Sequence, residues 1–132
     1  MNTMFAFLTT VSNALRRFNL SSEVRFFIAC QFALESDYGK SRLCARNCNY
    51  CGMKVPSLRV TNCVNIDSSG FAKYNSFADC IVDYVLWLQY NRVSRACQSN
   101  VIQFAEFIKS SGYCPESDYV KRIFDIYDQY VS

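Results

Sequence analysis

Apolar residues spaced three or four positions apart, with few helix breakers between them, constrain this chain more than any other feature. Phe7, Val11, Leu15 and Phe18 fall at helical intervals, which puts a first helix over about Thr3–Phe18. Only two prolines and four glycines occur in 132 residues, so the chain is neither disordered nor a repetitive fibre. Asn19-Leu20-Ser21-Ser22 breaks the first helix. Ser22 can cap a second, with Glu23 favourably placed against its N-terminal dipole. That helix runs to about Asp37, where Gly39 supplies the turn. A short helical turn follows at Ser41–Arg46. Residues 55–75 change character. Pro56, Val60, Cys63, Val64 and Ile66 surround the turn signal Asp67-Ser68-Ser69-Gly70, a pattern that suits a small β-hairpin or irregular lobe. Ser76-Phe77-Ala78-Asp79 starts a long helix through about Tyr90 in the manner of a capping box. Another helix spans about Asn100–Ser110 and stops at Gly112. Pro115-Glu116-Ser117-Asp118 opens the last, with acids in its first turn, and this helix continues through Tyr130. The sum is five or six helices and one small hairpin, an α+β chain that is mostly α. Its length fits one domain over 1–132, with no repeat or linker.

The net charge of +3 is unevenly spread. Residues 1–60 carry eight Lys/Arg against three acids, a net +5, whereas the remainder carries six bases and eight acids, a net −2. A basic half suits an anionic polymer such as cell-wall glycan with peptide carboxylates, or nucleic acid; an ordinary solvated surface fits equally well. No stretch reaches the roughly 20 apolar residues that span a bilayer. The apolar start, Met4-Phe5-Ala6-Phe7-Leu8, lacks a basic leader and reads as a structural helix rather than a signal peptide. No membrane insertion is expected.

Eight cysteines are many for this length. An even count suits disulfides in an exported protein, but without a signal free buried thiols are the default. Cys44, Cys48 and Cys51 satisfy C-x₃-C-x₂-C, a spacing able to hold an iron–sulfur cluster, or with Cys63 a four-thiolate zinc site. The cluster reading needs a large barrel of parallel strands, for which the chain lacks both length and pattern. Buried thiols or disulfides are favoured over a metal, and no cofactor is expected.

One carboxylate stands out. Val24, Ile28, Gln31 and Glu35 sit at i, i+4, i+7 and i+11 of the second helix and nearly superimpose around its axis. Glu35 thus extends a stripe that begins apolar, close to the negative end of the helix. Partial burial and the dipole both disfavour its charged form. A glycosidase needs such a carboxyl, proton-bearing near neutral pH, to donate to a leaving oxygen. On spacing alone a solvated surface glutamate remains the commoner outcome.

The surrounding residues are familiar. Ala33-Leu34-Glu35-Ser36-Asp37-Tyr38-Gly39-Lys40-Ser41 resembles the A-L-E-S-G-W-G-x-S segment of the glucosaminidase family of peptidoglycan hydrolases, glycoside hydrolase family 73. Asn49-Tyr50-Cys51-Gly52-Met53-Lys54 is similar to that family's N-L-F-G-I-K, with Cys51 in the usual Phe position. Phe71-Ala72-Lys73-Tyr74-Asn75-Ser76-Phe77, Asp83-Tyr84 and Gly112-Tyr113-Cys114-Pro115-Glu116-Ser117-Asp118-Tyr119 resemble further segments in the same order. The resemblance covers about residues 25–130. It implies a lysozyme-like fold, Glu35 as general acid at a cleft with Tyr119 facing it, and cleavage of the β-1,4 bond after N-acetylglucosamine in peptidoglycan.

Many relatives place a second acid in the hairpin. Here residues 55–75 hold only Asp67, which is therefore the remaining catalytic candidate. Separations of about 5–5.5 Å suit retention and about 6.5–9.5 Å inversion; retention, inversion and substrate-assisted chemistry all stay open at this stage. Tyr38, Tyr50, Tyr74, Tyr113 and Tyr119 lie at turns or element ends, where a ring can stack on sugar, and Asn49 joins them as a substrate-binding candidate. Most Phe and Trp87 are expected in the core. The expected partner is the peptidoglycan strand, not nucleic acid, bound by a monomer. Such an enzyme reaches the bacterial wall by phage lysis or in a virion. The alternatives are an inactive glycan-binding or structural module of the same shape, and a cysteine-cluster metal-binding domain.

Overall fold

The computed structural model describes residues 2–131. Met1 and Ser132, the ends of the unit expected over 1–132, lie outside the described residues. Seven helices and one hairpin make up the described chain: α1 (Thr3–Ala14), α2 (Ser22–Ser36), α3 (Arg42–Asn47), β1 (Asn65–Ile66), β2 (Ala72–Lys73), α4 (Phe77–Tyr90), α5 (Arg95–Ser99), α6 (Val101–Ser111) and α7 (Tyr119–Tyr130).

α2 is the axle. It packs against α1, α7, α6 and α5, and Val24 together with every residue from Phe27 to Ala33 is buried. A helix apolar on almost every side can form only inside a ring of others. Its N-terminus is capped by Ser21, whose hydroxyl accepts the Val24 N–H at 3.2 Å. The cap thus falls one residue before Ser22, because Ser21 keeps the extended backbone a cap requires (φ −65°, ψ 161°). At the other end Asp37, Tyr38 and Gly39 all take left-handed conformations. The Ser36 hydroxyl accepts the Gly39 N–H there at 2.9 Å, which turns the chain sharply away below Glu35.

α1 stops at Ala14 rather than Phe18. Leu15 donates to both Val11 and Ser12 carbonyls, and this tightening closes the helix before Phe18. Ser41, Ser76 and Asn100 cap α3, α4 and α6 as side-chain acceptors. α5, capped by Ser94, has no counterpart in the periodicity because five residues are too few to show one. α7 begins at Tyr119, so Glu116 and Asp118 precede the helix instead of occupying its first turn, and Asp118 makes no side-chain cap.

The lobe between α3 and α4 is thin. β1 and β2 are antiparallel, with Asn65 opposite Lys73 and Ile66 opposite Ala72, and an isolated bridge joins Lys54 to Phe71. Its orientation is set by a buried ion pair. Arg59 Nη1 lies 2.7 Å from Asp83 Oδ1, both side chains being almost wholly enclosed. Among the described residues no helix is long and apolar enough to cross a membrane.

Candidate active site

Glu35 sits in the last turn of α2, half-buried, facing the first residue of α7. The Tyr119 hydroxyl donates to Glu35 Oε2 at 2.8 Å. Gln31, one turn earlier on the same face, donates its amide to the Tyr119 oxygen at 3.2 Å. The Tyr84 hydroxyl of α4 in turn donates to Gln31 Oε1 at 2.6 Å. Gln31 and Tyr84 are fully buried, so this chain of bonds reaches the carboxyl from the interior.

On the other side lies Gly52. Its φ of +71° is a region side chains disfavour, and a Cβ there would stand 3.2 Å from Glu35 Oε1. A side chain at this position would be strained by its backbone and would make the carboxyl give by a few tenths of an ångström. Burial pushes the Glu35 carboxyl up, against the lowering effects of the Tyr119 bond and the Arg122 charge, while Glu116 raises it further; the balance is a pKa above the ordinary 4.5. Arg122 and Glu116 are themselves paired at 3.0 Å.

Two depressions are lined by residues that surround Glu35, Gly52 in one and Tyr119 with Glu116 in the other. The first, about 290 Å³, is lined by Gly52, Lys54, Trp87, Gly112 and Tyr113 among others. The second, about 280 Å³, is lined by Lys109, Pro115, Glu116 and Tyr119 among others. Tyr113 and Tyr119 stack nearly parallel, 6.1 Å apart, so each ring of one pair lines one depression. Tyr113 is held by Trp87, perpendicular at 4.9 Å, and by donation to the Cys51 carbonyl. Trp87 is thus half-buried at a groove wall as well as packed on the core.

The structure brings Glu35, Tyr119 and Tyr113 together; the other candidates lie elsewhere. Tyr38 and Tyr50 are half-buried and gather on Phe7 of α1, at 6.2 and 6.4 Å between ring centroids. Neither makes a hydrogen bond to Glu35. Asn49 supports the turn from within. Its amide donates to the Met53 and Ala72 carbonyls, its oxygen accepts from Gly52 and Met53 N–H, and it is 1% exposed. Tyr74 is likewise turned inward, donating to the buried Asp83.

Asp67 organises the hairpin. Its carboxylate accepts from the Asn47 amide at 2.9 Å and from the Ser69 and Phe71 N–H groups. Desolvation raises its pKa, but the Phe71, Asn47 and Ser69 bonds and the Lys73 charge outweigh it and hold the carboxyl below its ordinary value. No hydrogen bond links it to Glu35 or Tyr119.

All eight cysteines are free thiols. Cys44, Cys48 and Cys51 do not converge: Cys44 contacts Ser41 and the Asn49 carbonyl, while Cys51 lies 3.6 Å from Cys80. Among the described residues no three His, Cys, Asp or Glu side chains stand close enough to hold a metal.

Sequence reasoning passed over Gln31 and Tyr84 as a hydrogen-bonded pair, and Gly52 as the residue against the acid. Gln31 carried a usable signal, being the polar member of an otherwise apolar stripe. Gly52 carried none, because its contact with Glu35 spans seventeen residues and a reversal of the chain.

The fold recurs among solved structures. A chain of a type VI secretion system effector–immunity complex from Pseudomonas protegens superposes with a TM-score of 0.68 at 17% identity, covering 99% of this chain and 96% of that one. The catalytic domain of the autolysin Auto from Listeria monocytogenes superposes with a TM-score of 0.66 at 20% identity, covering 98% of this chain and 85% of that one. At these identities the likeness is one of fold, and the fold is lysozyme-like. No curated protein matches the chain. The chain belongs to the glucosaminidase family, glycoside hydrolase family 73: the family model, described as mannosyl-glycoprotein endo-beta-N-acetylglucosaminidase, matches residues 11–132. It is a glycoside hydrolase by that membership.

Proposed function

We propose that this chain hydrolyses peptidoglycan, cutting the β-1,4 bond after N-acetylglucosamine with Glu35 as general acid. One observation carries the reading: a half-buried carboxyl with a raised pKa, backed by a tyrosine hydroxyl and packed against a glycine that lines a groove. In this mechanism Glu35 gives its proton to the glycosidic oxygen as the C–O bond breaks, and the electron pair leaves with that oxygen. The carboxylate formed accepts the Tyr119 hydroxyl and faces the Arg122 charge, and both stabilise it. Tyr113, with its face toward Tyr119 and its edge on Trp87, offers a stacking surface for a sugar ring. A water oxygen bonds to the anomeric carbon and the water gives up one proton, while Glu35 regains the proton it donated, so one water is consumed per bond cut.

Peptidoglycan as substrate is supported by the likeness to an autolysin domain and by the basic half of the chain. The span 1–132 acts in this reading as one monomeric unit, brought to the wall by phage lysis or in a virion, with no part played by nucleic acid or membrane insertion. A second reading, an inactive module that only holds glycan, is favoured by the commitment of Asp67 to the hairpin turn. Digestion of purified peptidoglycan, read by mass spectrometry of the released ends, separates them. The wild type is expected to create new reducing N-acetylglucosamine ends and Glu35→Gln is not. Equal release by both removes Glu35 from the mechanism, and binding with no release by the wild type establishes the inactive module.

A further inference from the structure

The bonds behind Glu35 have a direction, and the direction has a chemical consequence. The Tyr84–Gln31 contact is 2.6 Å, which suits O–H···O and is shorter than an N–H···O bond. The atom facing Tyr84 is therefore the amide oxygen of Gln31, and its NH₂ must point at Tyr119, where the 3.2 Å separation suits N–H···O. The Tyr119 oxygen already receives that amide proton. Its own hydroxyl proton is thereby directed outward, onto Glu35 Oε2 at 2.8 Å. An oxygen that accepts this bond is a poor seat for a second proton. The acid proton is left to Oε1, the oxygen nearer Gly52, 3.2 against 3.7 Å from the Cβ position there.

We propose that Gln31 and Tyr84 are positioning residues that fix the hydroxyl of Tyr119 as a donor to Oε2 and so reserve Oε1, on the side of the groove-lining Gly52, for the proton delivered to substrate. The inference rests on the reading of Glu35 as general acid and adds which oxygen acts and what decides it. Without Gln31 the Tyr119 oxygen is free to accept. A protonated Glu35 can then turn its O–H inward to Tyr119, which both stabilises the neutral acid and points its proton away from the glycosidic oxygen. The other ionisable groups facing Glu35 are Arg122 and Glu116 from the α7 side, Tyr113 before α7, and Tyr84 itself from α4. All of them persist in Gln31→Leu, and all but Tyr84 in Tyr84→Phe.

The test is the pH profile of peptidoglycan cleavage by wild type, Gln31→Leu and Tyr84→Phe, with thermal melts alongside. Gln31→Leu is expected to lower kcat by about tenfold, the order of one net hydrogen bond, to leave KM unchanged, and to move the basic limb of kcat to higher pH. Tyr84→Phe, one atom smaller, is expected to move the limb in the same direction by less. If Gln31→Leu does not fold, Tyr84→Phe carries the test. Limbs that superimpose on the wild type, with only the melting temperature lowered, would show a purely structural role and overturn the proposal. So would a limb displaced to lower pH. In either case loss of cleavage in Glu35→Gln still upholds the general-acid reading; persistent cleavage there overturns both.

Discussion

Replacing Gly52 by alanine separates the cost of backbone strain from the cost of crowding the acid. Gly52 holds a φ of +71°, and its added methyl would lie 3.2 Å from Glu35 Oε1 and 3.3 Å from Cδ. Gly70 provides the matched control. Its φ is +92°, and its methyl would meet only Lys54 Cδ, at an ordinary 3.9 Å. A left-handed residue with a Cβ costs about 1–2 kcal/mol. At an unfolding entropy of about 2.1 cal/mol/K per residue, that lowers Tm by about 4–7 °C in a chain of this length. Both variants should show this drop. Their activities should differ, because in Gly52→Ala the methyl shifts the carboxyl by a few tenths of an ångström and crowds Oε1; a displacement on the order of 1 Å can cost about a hundredfold, and the loss here should be smaller but measurable. The assay is kcat on purified peptidoglycan at a temperature where both variants are fully folded. Wild-type kcat in Gly52→Ala would refute the reasoning, since the acid could not then act through the space beside this glycine. Equal losses in the two variants would refute it as well.

Further outcomes follow from the same structure. Glu35 has a folded pKa above its unfolded value, so the folded state holds its proton more tightly; the associated stability is complete below the unfolded value of 4.5 and is lost as pH rises through the folded pKa. Glu35→Gln should therefore melt higher than the wild type at pH 7, with the advantage fading below pH 4.5, and an advantage independent of pH would contradict this. Asp67 behaves oppositely, since its folded pKa is depressed: its contribution is present above 3.8 and is lost as pH falls through the folded value. Asp67→Asn should lower the neutral-pH melting temperature and leave kcat near that of the wild type; collapse of kcat with an unchanged melt would return Asp67 to the catalytic machinery. Arg59→Met strands the buried Asp83 and should cost about 3–5 kcal/mol in denaturant unfolding. Much of that loss should be recovered in the double variant Arg59→Met/Asp83→Asn, and additive losses would show that the pair is not coupled.

The helical order was legible because each long helix carries its own start signal and an apolar face. Ser76, Asn100 and Gly112 mark ends that local chemistry alone can specify. α5 was not legible, since five residues cannot display a period, and α1 looked longer because Leu15 and Phe18 stay on the apolar face after the backbone has left the helix. The stripe and the motif together single out Glu35, and its half-burial against Tyr119 agrees with the stripe. The aromatic and amide candidates divided according to long-range packing. Tyr113 and Tyr74 occupy similar turn positions in the sequence, yet one lines a groove and the other reaches inward to Asp83. Asn49 illustrates the same limit: an asparagine in a turn reads alike whether its amide meets a ligand or the backbone of its own loop. The ion pair between Arg59 and Asp83, 24 residues apart, has no local trace.

A carboxyl titration observes directly whether Glu35 keeps its proton against Gly52 and Tyr119. Selective ¹³C labelling of glutamate, with the Glu35 resonance assigned by its absence in Glu35→Gln, gives its midpoint in the folded protein. The expected midpoint lies above the ordinary 4.5. A midpoint at or below that value would contradict this expectation, whatever the activity of the protein on cell walls.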